Sequence, residues 1–174
     1  KEHKTDMRFV GDLGEWAFHS YCKHHRLEQV QWHNQLAASG KSDFTLFNNV
    51  DVGIKTVKRQ NKPMPSYTAQ VTATHSQEPV DAFFFLSFDF IRNQLWLLGG
   101  IEKSDFLRQA QYFGPGDKVH ENYTIRQGHE IYNIGLDKLS PPSEFSKEME
   151  LLSAYKDFCM NFHNITPHRE AKAA

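Results

Sequence analysis

The chain is poor in cysteine. Only Cys22 and Cys159 occur in 174 residues, too few for a disulfide framework, and they read as reduced thiols of an intracellular protein. Long apolar runs are missing as well. The longest, Ala82–Leu86, is strand-sized and far short of the roughly 18 residues that mark a membrane-spanning helix, so no membrane partner is expected. Lys1–Arg8 is polar and has no apolar stretch of the kind a secretory signal needs. Neither charge dominates: 20 Lys and Arg face 21 Asp and Glu, a formal charge of −1. Net charge therefore gives no argument for nucleic-acid binding, although it leaves room for a local basic patch. Gly-x-Ser-x-Gly, P-loop and Gly-x-Gly-x-x-Gly patterns are absent, and the 10 histidines nowhere take zinc-ligand spacing.

What is present is an ordinary globular composition, 39% hydrophobic and 24% charged, with 14 Phe to fill one core. Helical spacing of Phe9, Val10, Leu13, Trp16, Ala17 and Tyr21 predicts a helix over Met7–Leu27. A short strand at Val30–Trp32 and a turn at Ala38–Lys41 follow. Asp43–Phe47 and Val50–Val57 form a hairpin turned by Asn48-Asn49. Arg59–Ser66 is polar and contains prolines, which suggests a loop. Tyr67–Thr74 fits either a strand or a loop.

Ala82–Phe90 is unbroken in apolar and aromatic residues but for Ser87 and Asp89, and reads as an interior strand paired with Leu95–Gly99. Ser104 caps a helix over Asp105–Tyr112 that Gly114-Pro115-Gly116 ends. Short strands at Tyr123–Ile125 and Ile131–Ile134 and a final helix over Ser146–Phe162 complete the chain, with a frayed tail from Thr166. The expected fold class is α/β, a mixed central β-sheet flanked by helices. Residues 1–174 form one domain, with a core at about 7–113 and a C-terminal β unit and helix at about 117–165.

The chemistry gathers at the first hairpin. Val52, Ile54 and Thr56 share one face, and Asp51, Gly53, Lys55 and Val57 the other. The turn brings Asp43 towards Lys55, which fits a surface cross-strand ion pair or a catalytic acid beside a cation. Glu15 lies in Gly11-Asp12-Leu13-Gly14-Glu15, whose glycines permit close backbone approach. From Lys55 to Lys62 there are four cations (Lys55, Lys58, Arg59 and Lys62) and no acid.

These features resemble the PD-(D/E)xK nuclease superfamily, the restriction-endonuclease-like fold. Ser42-Asp43 stands where that family has Pro-Asp, and Gly53-Ile54-Lys55 where it has acid-x-Lys. Glu15 matches the helix-borne acid that many members carry. The resemblance implies Mg²⁺- or Mn²⁺-dependent hydrolysis of DNA phosphodiesters. Asp43, Lys55 and Glu15 would be the catalytic residues, and Asp43, Glu15 and the Ile54 carbonyl the metal ligands, with Asp51 as a further candidate. Lys41, Lys58, Arg59, Lys62 and Gln70 would contact duplex DNA, and a homodimer would cut both strands. The departure is Gly53, which leaves the second acid of the motif missing. Either Glu15 or Asp51 supplies it, or the chain is a weakened or inactive nucleic-acid-binding module of the same fold.

Overall fold

The computed structural model describes residues 2–33 and 42–163. In chain order the helices are α1 (Glu2–His24), α2 (Lys103–Gln109) and α3 (Pro142–His163). The strands are β1 (Gln31–Trp32), β2 (Phe44–Leu46), β3 (Val50–Arg59), β4 (Thr68–Thr72), β5 (Ala82–Asp89) and β6 (Gln94–Glu102). They continue with β7 (Gln111–Phe113), β8 (Lys118–His120), β9 (Tyr123–Thr124) and β10 (Ile131–Gly135). The fold is α/β, with a mixed sheet and helices packed on it. None of the described helices is long and apolar enough to cross a membrane.

The principal sheet has the order β1-β2-β3-β5-β6. β2 and β3 are the antiparallel hairpin arms, with Phe44 opposite Val52 and Leu46 opposite Val50. β5 then returns parallel to β3, from Val52↔Ala82 to Arg59↔Asp89, and β6 runs antiparallel beside it. β5 is interior and covered on both faces, which is why Ala82–Leu86 has no polar alternation. On one face Phe44, Val52, Ile54 and Phe84 pack with Phe18 and Cys22 of α1 and Phe145 and Met149 of α3. On the other, Phe83 and Phe85 pack with Phe106 of α2 and with Ala69, Val71 and Ile134.

Those last three residues belong to a second sheet, ordered β4-β10-β7, which the sequence pattern does not announce. Several boundaries move with it. Tyr67–Thr74, ambiguous in sequence, contains strand β4. α2 starts at Lys103, and Ser104 is not its cap: the Ser104 hydroxyl donates to Glu102 Oε1 at 2.8 Å. α2 also ends before Gly114-Pro115-Gly116, because Ala110 is extended and Gln111–Phe113 pair with β10. Arg59 closes β3 rather than opening a loop. α3 begins at Pro142, where a proline costs no hydrogen bond because the first helical amides lack intrahelical partners. The turn at 38–41, including Lys41, and the tail from Thr166 lie outside the described residues.

Gly14 sets how closely α1 lies on the sheet. A Cβ on Gly14 would sit 1.8 Å from Thr56 Oγ1 and 2.9 Å from Thr56 Cβ, so the glycine allows the helix backbone to rest directly on β3. Gly14→Ala should therefore destabilise the fold by about 1–3 kcal/mol through overpacking. Thr56→Ala in the same chain should recover part of that loss by removing the nearest atom. Urea unfolding of the two single variants and the double variant tests this. Strictly additive effects would mean that the contact does not limit the packing.

Candidate active site at the hairpin

Asp43 lies just before β2, and its amide donates to the Val52 carbonyl at 3.1 Å. Its carboxylate turns back across the hairpin, where Oδ2 accepts the Ile54 amide at 2.6 Å. Lys55, one residue on, projects to the opposite face of β3. Its ammonium reaches Glu78 Oε2 at 2.7 Å, and the two side chains are only 14% and 23% exposed. That burial sets the pair apart from surface ion pairs, which contribute little. The cross-strand partner expected for Lys55 was Asp43, whereas the carboxylate hydrogen-bonded to its ammonium belongs to Glu78.

Glu78 was not found in the sequence, although a local signal existed. It ends the 3₁₀ turn His75–Gln77 and precedes Pro79, and the residue before a proline is held extended. The chain therefore leaves the turn at Glu78 and enters β5 a few residues later. Because β5 is parallel to β3, with Gly53 opposite Phe83, this entry point lies beside the Gly53–Lys55 segment. The Lys103 ammonium donates to the Glu78 carbonyl, and the Lys103 amide donates to the Asp81 carbonyl at 2.8 Å. A Cβ on Gly53 would lie 3.4 Å from Glu78 Oε2. The carboxylate of Glu78 and the Phe83 ring thus border the space that the absent Gly53 side chain leaves open.

Glu15 is held from α1, where its Oε2 accepts the Trp32 indole N–H at 3.0 Å. Burial raises its pKa above the ordinary range, and the charges of Asp43 and Asp12 add to the rise. The Trp32 hydrogen bond and Lys55 act against it. Burial likewise raises Asp43, with Glu78 adding, while the Ile54 amide, Lys55 and His75 pull it down. Glu15, Asp43, Lys55, Glu78 and His75 therefore share one electrostatic neighbourhood, and of these His75 and Glu78 are additions to the sequence reading.

Asp51 sits apart from that chemistry. Its Oδ1 accepts the hydroxyls of Ser42 at 2.9 Å and Thr45 at 2.6 Å, and its amide donates to Asp81 Oδ2 at 2.7 Å. The basic residues are distributed rather than gathered on one loop. The Lys58 ammonium lies 4.7 Å from the centre of the Phe90 ring. Arg59 stacks on Tyr67 at 4.9 Å and donates to the Thr68 carbonyl at 3.0 Å. Lys62 is exposed between β3 and β4. Gln70 joins Lys55, Lys58 and His75 around a cleft of about 380 Å³ between β3 and β4. A larger cleft of about 590 Å³ between the end of α1 and α3 contains none of the candidate residues. Cys22 is buried and its pKa is pushed up to about 12, so it remains a protonated core thiol.

Among the described residues no group of three or more His, Cys, Asp and Glu side chains is placed to hold a metal ion. The donor set still suits a hard cation of small demand. Mg²⁺ keeps several waters and binds through one or two carboxylates together with substrate phosphate. Two half-buried, mutually repelling carboxylates, Asp43 and Glu15, lie beside the hairpin. No family model, curated protein or solved structure matches the chain.

The pKa shifts have a signed consequence for stability. Asp43 and Glu15 hold their protons more tightly in the folded chain than in the unfolded one, so ionising them opposes folding. Their contribution is most favourable below the ordinary carboxylate range and declines as pH rises from that range through the raised folded-state values. Asp43→Asn, which keeps an oxygen for the Ile54 amide, should therefore gain stability relative to wild type as pH rises through this window. Denaturant midpoints of both proteins across the acid-to-neutral range test this. A difference independent of pH would refute the assignment for Asp43.

Proposed function

We propose that this chain is a metal-dependent nuclease of restriction-endonuclease-like fold that hydrolyses DNA phosphodiester bonds. The observation that carries the reading is the position of Glu78, whose carboxylate lies beside Gly53 and pairs with Lys55. The motif's second acid is then supplied in space by the segment leading into β5, although β3 itself lacks it. Asp43 and Glu78 are the carboxylates that would hold the metal. Ile54 adds its carbonyl, which opens on the same strand edge as the amide bonded to Asp43. Glu15 supports them from α1, fixed in direction by Trp32.

Bound Mg²⁺ or Mn²⁺ supplies Lewis-acid polarisation of the phosphate and an acidified water. The chain's own part is orientation and charge. Lys55, held by Glu78, directs its ammonium to where negative charge develops on the phosphate. Lys58, Arg59 and Lys62 lie further along the same strand and loop and engage flanking phosphates. A duplex is cut on both strands by two copies of the chain.

Supercoiled plasmid incubated with Mg²⁺ or Mn²⁺, with chelator as control, should be nicked or linearised. Glu78→Gln should slow cutting by about 100-fold, the upper end of losses seen when a metal site is disturbed. Adding Gly53→Glu to that variant should restore part of the rate, since the new side chain starts 3.4 Å from the Glu78 Oε2 position. Gly53→Glu alone should weaken Mn²⁺ binding, because its side chain meets Phe83 and Glu78 within 3.4 Å. A folded wild-type chain that binds DNA and cuts none with either ion would make it a binding module instead.

A further inference from the structure

Two turns of the chain hold large side chains where glycine or asparagine is favoured. At the end of α1 the Leu27 amide donates to the Cys22 carbonyl at 3.0 Å, and the Arg26 amide to the Lys23 carbonyl at 3.1 Å. This pattern places Arg26, with φ 52°, at the left-handed position that commonly holds glycine. The first hairpin turns through Phe47 and Asn48, one residue before Asn48-Asn49, with the Asn49 amide donating to the Leu46 carbonyl at 3.2 Å. Its φ angles are 51° at Phe47 and 68° at Asn48. Turns of this kind favour Asn-Gly, and a bulky aromatic at the first central position is strained. Both residues line the cleft of about 590 Å³ between the end of α1 and α3, as does Gln29 with φ 53°. Strained backbone that gathers at one cavity points to a use for the side chains it presents there.

We infer that this cleft binds a nucleoside monophosphate whose base carries an amino group. Phe47 and Tyr21 are half-buried and give the cleft an aromatic side. Arg26 and Lys147 are exposed on its walls, and among the described residues neither has an ion-pair partner. Glu28 and Glu150 line the same cleft. An inorganic anion would engage the cations and leave the aromatic side bare, and an apolar ligand would cover the cations without partners. A nucleotide meets all three demands. Its phosphate suits the Arg26 fork and the Lys147 ammonium, its ring the Phe47 face, and its amino group a glutamate carboxylate. The cleft volume also falls in the roughly 300–1,000 Å³ range of small-molecule sites. Its walls are tied together, since the Ser153 hydroxyl donates to the Phe47 carbonyl at 3.2 Å and the Asn49 side-chain amide to Asp157 Oδ1 at 2.8 Å. None of the candidate residues at the hairpin centre lines this cleft, so the inference stands apart from the nuclease reading.

Calorimetric titration of the full chain, without divalent metal, tests this with the monophosphates of adenosine, guanosine, cytidine and uridine. Inorganic phosphate and adenosine form separate arms. The three amino-bearing nucleotides should bind, and uridine monophosphate, which lacks the amino group, about tenfold more weakly. Phosphate alone and adenosine alone should each bind at least about tenfold more weakly than adenosine monophosphate. Arg26→Gly separates binding from folding. It should raise the urea midpoint, because glycine adopts the left-handed position without strain, and weaken nucleotide binding about tenfold. Lys147→Gln, at an exposed site, should weaken binding and leave the urea midpoint unchanged. Absence of saturable binding by every nucleotide would overturn the inference. So would phosphate binding as tightly as the nucleotides, or an Arg26→Gly chain that binds them as wild type does.

Discussion

The parallel pairing of β3 with β5 is the constraint on which the site depends. A hairpin alone brings Asp43 next to Ile54, and its return strand carries a glycine, not a carboxylate, at position 53. Only when β5 is laid beside β3 in the same direction does the segment before β5 arrive next to Lys55. The Lys55–Glu78 pair and the Phe83 contact at Gly53 are both products of this one register. An antiparallel β5 would deliver the other end of the strand, Asp89 and its turn, to the same place.

Around this pairing, two layers fix different parts of the chemistry. α1, seated on Thr56 through Gly14, carries Glu15 to the edge of the hairpin. The second sheet lies over the opposite face and closes one side of the cleft that Lys55 lines. α3 acts at a distance: Lys156 donates to the Asn49 carbonyl and to Asp81 Oδ2, the oxygen that also accepts the Asp51 amide. The hairpin turn and the entrance to β5 are thereby tied to one helix. Burying several carboxylates beside one another carries an energetic cost, visible in the raised pKa values of Asp43 and Glu15, and a divalent cation would relieve it.

The first hairpin was legible because its signals are local: alternation, an Asn-Asn turn, and an acid separated by nine residues from the Gly-x-Lys triplet. The interior strand Ala82–Leu86 was legible for the same reason. The β4-β10-β7 sheet was not, since its strands are short and paired across long sequence separations, and Gln111–Phe113 follows a helical run too closely to be separated by periodicity. Glu78 illustrates the general limit. Its position near Lys55 follows from strand direction, and strand direction is set by connections and packing rather than by residues near position 78.

Because α1, the hairpin and the segment before β5 each supply part of this neighbourhood, its contacts span very different separations along the chain. The β2–β3 hairpin is local and can form early, but at that stage Lys55 lacks Glu78. Glu78 can dock only after the chain has closed the loop from β3 to β5, a non-local step whose entropy must be met before its contacts are gained. A chain synthesised only as far as Arg59 holds Glu15, Asp43 and Lys55 but not Glu78, the carboxylate that pairs with Lys55. The same spacing that concealed Glu78 in the sequence thus keeps a partly made chain from holding the whole centre.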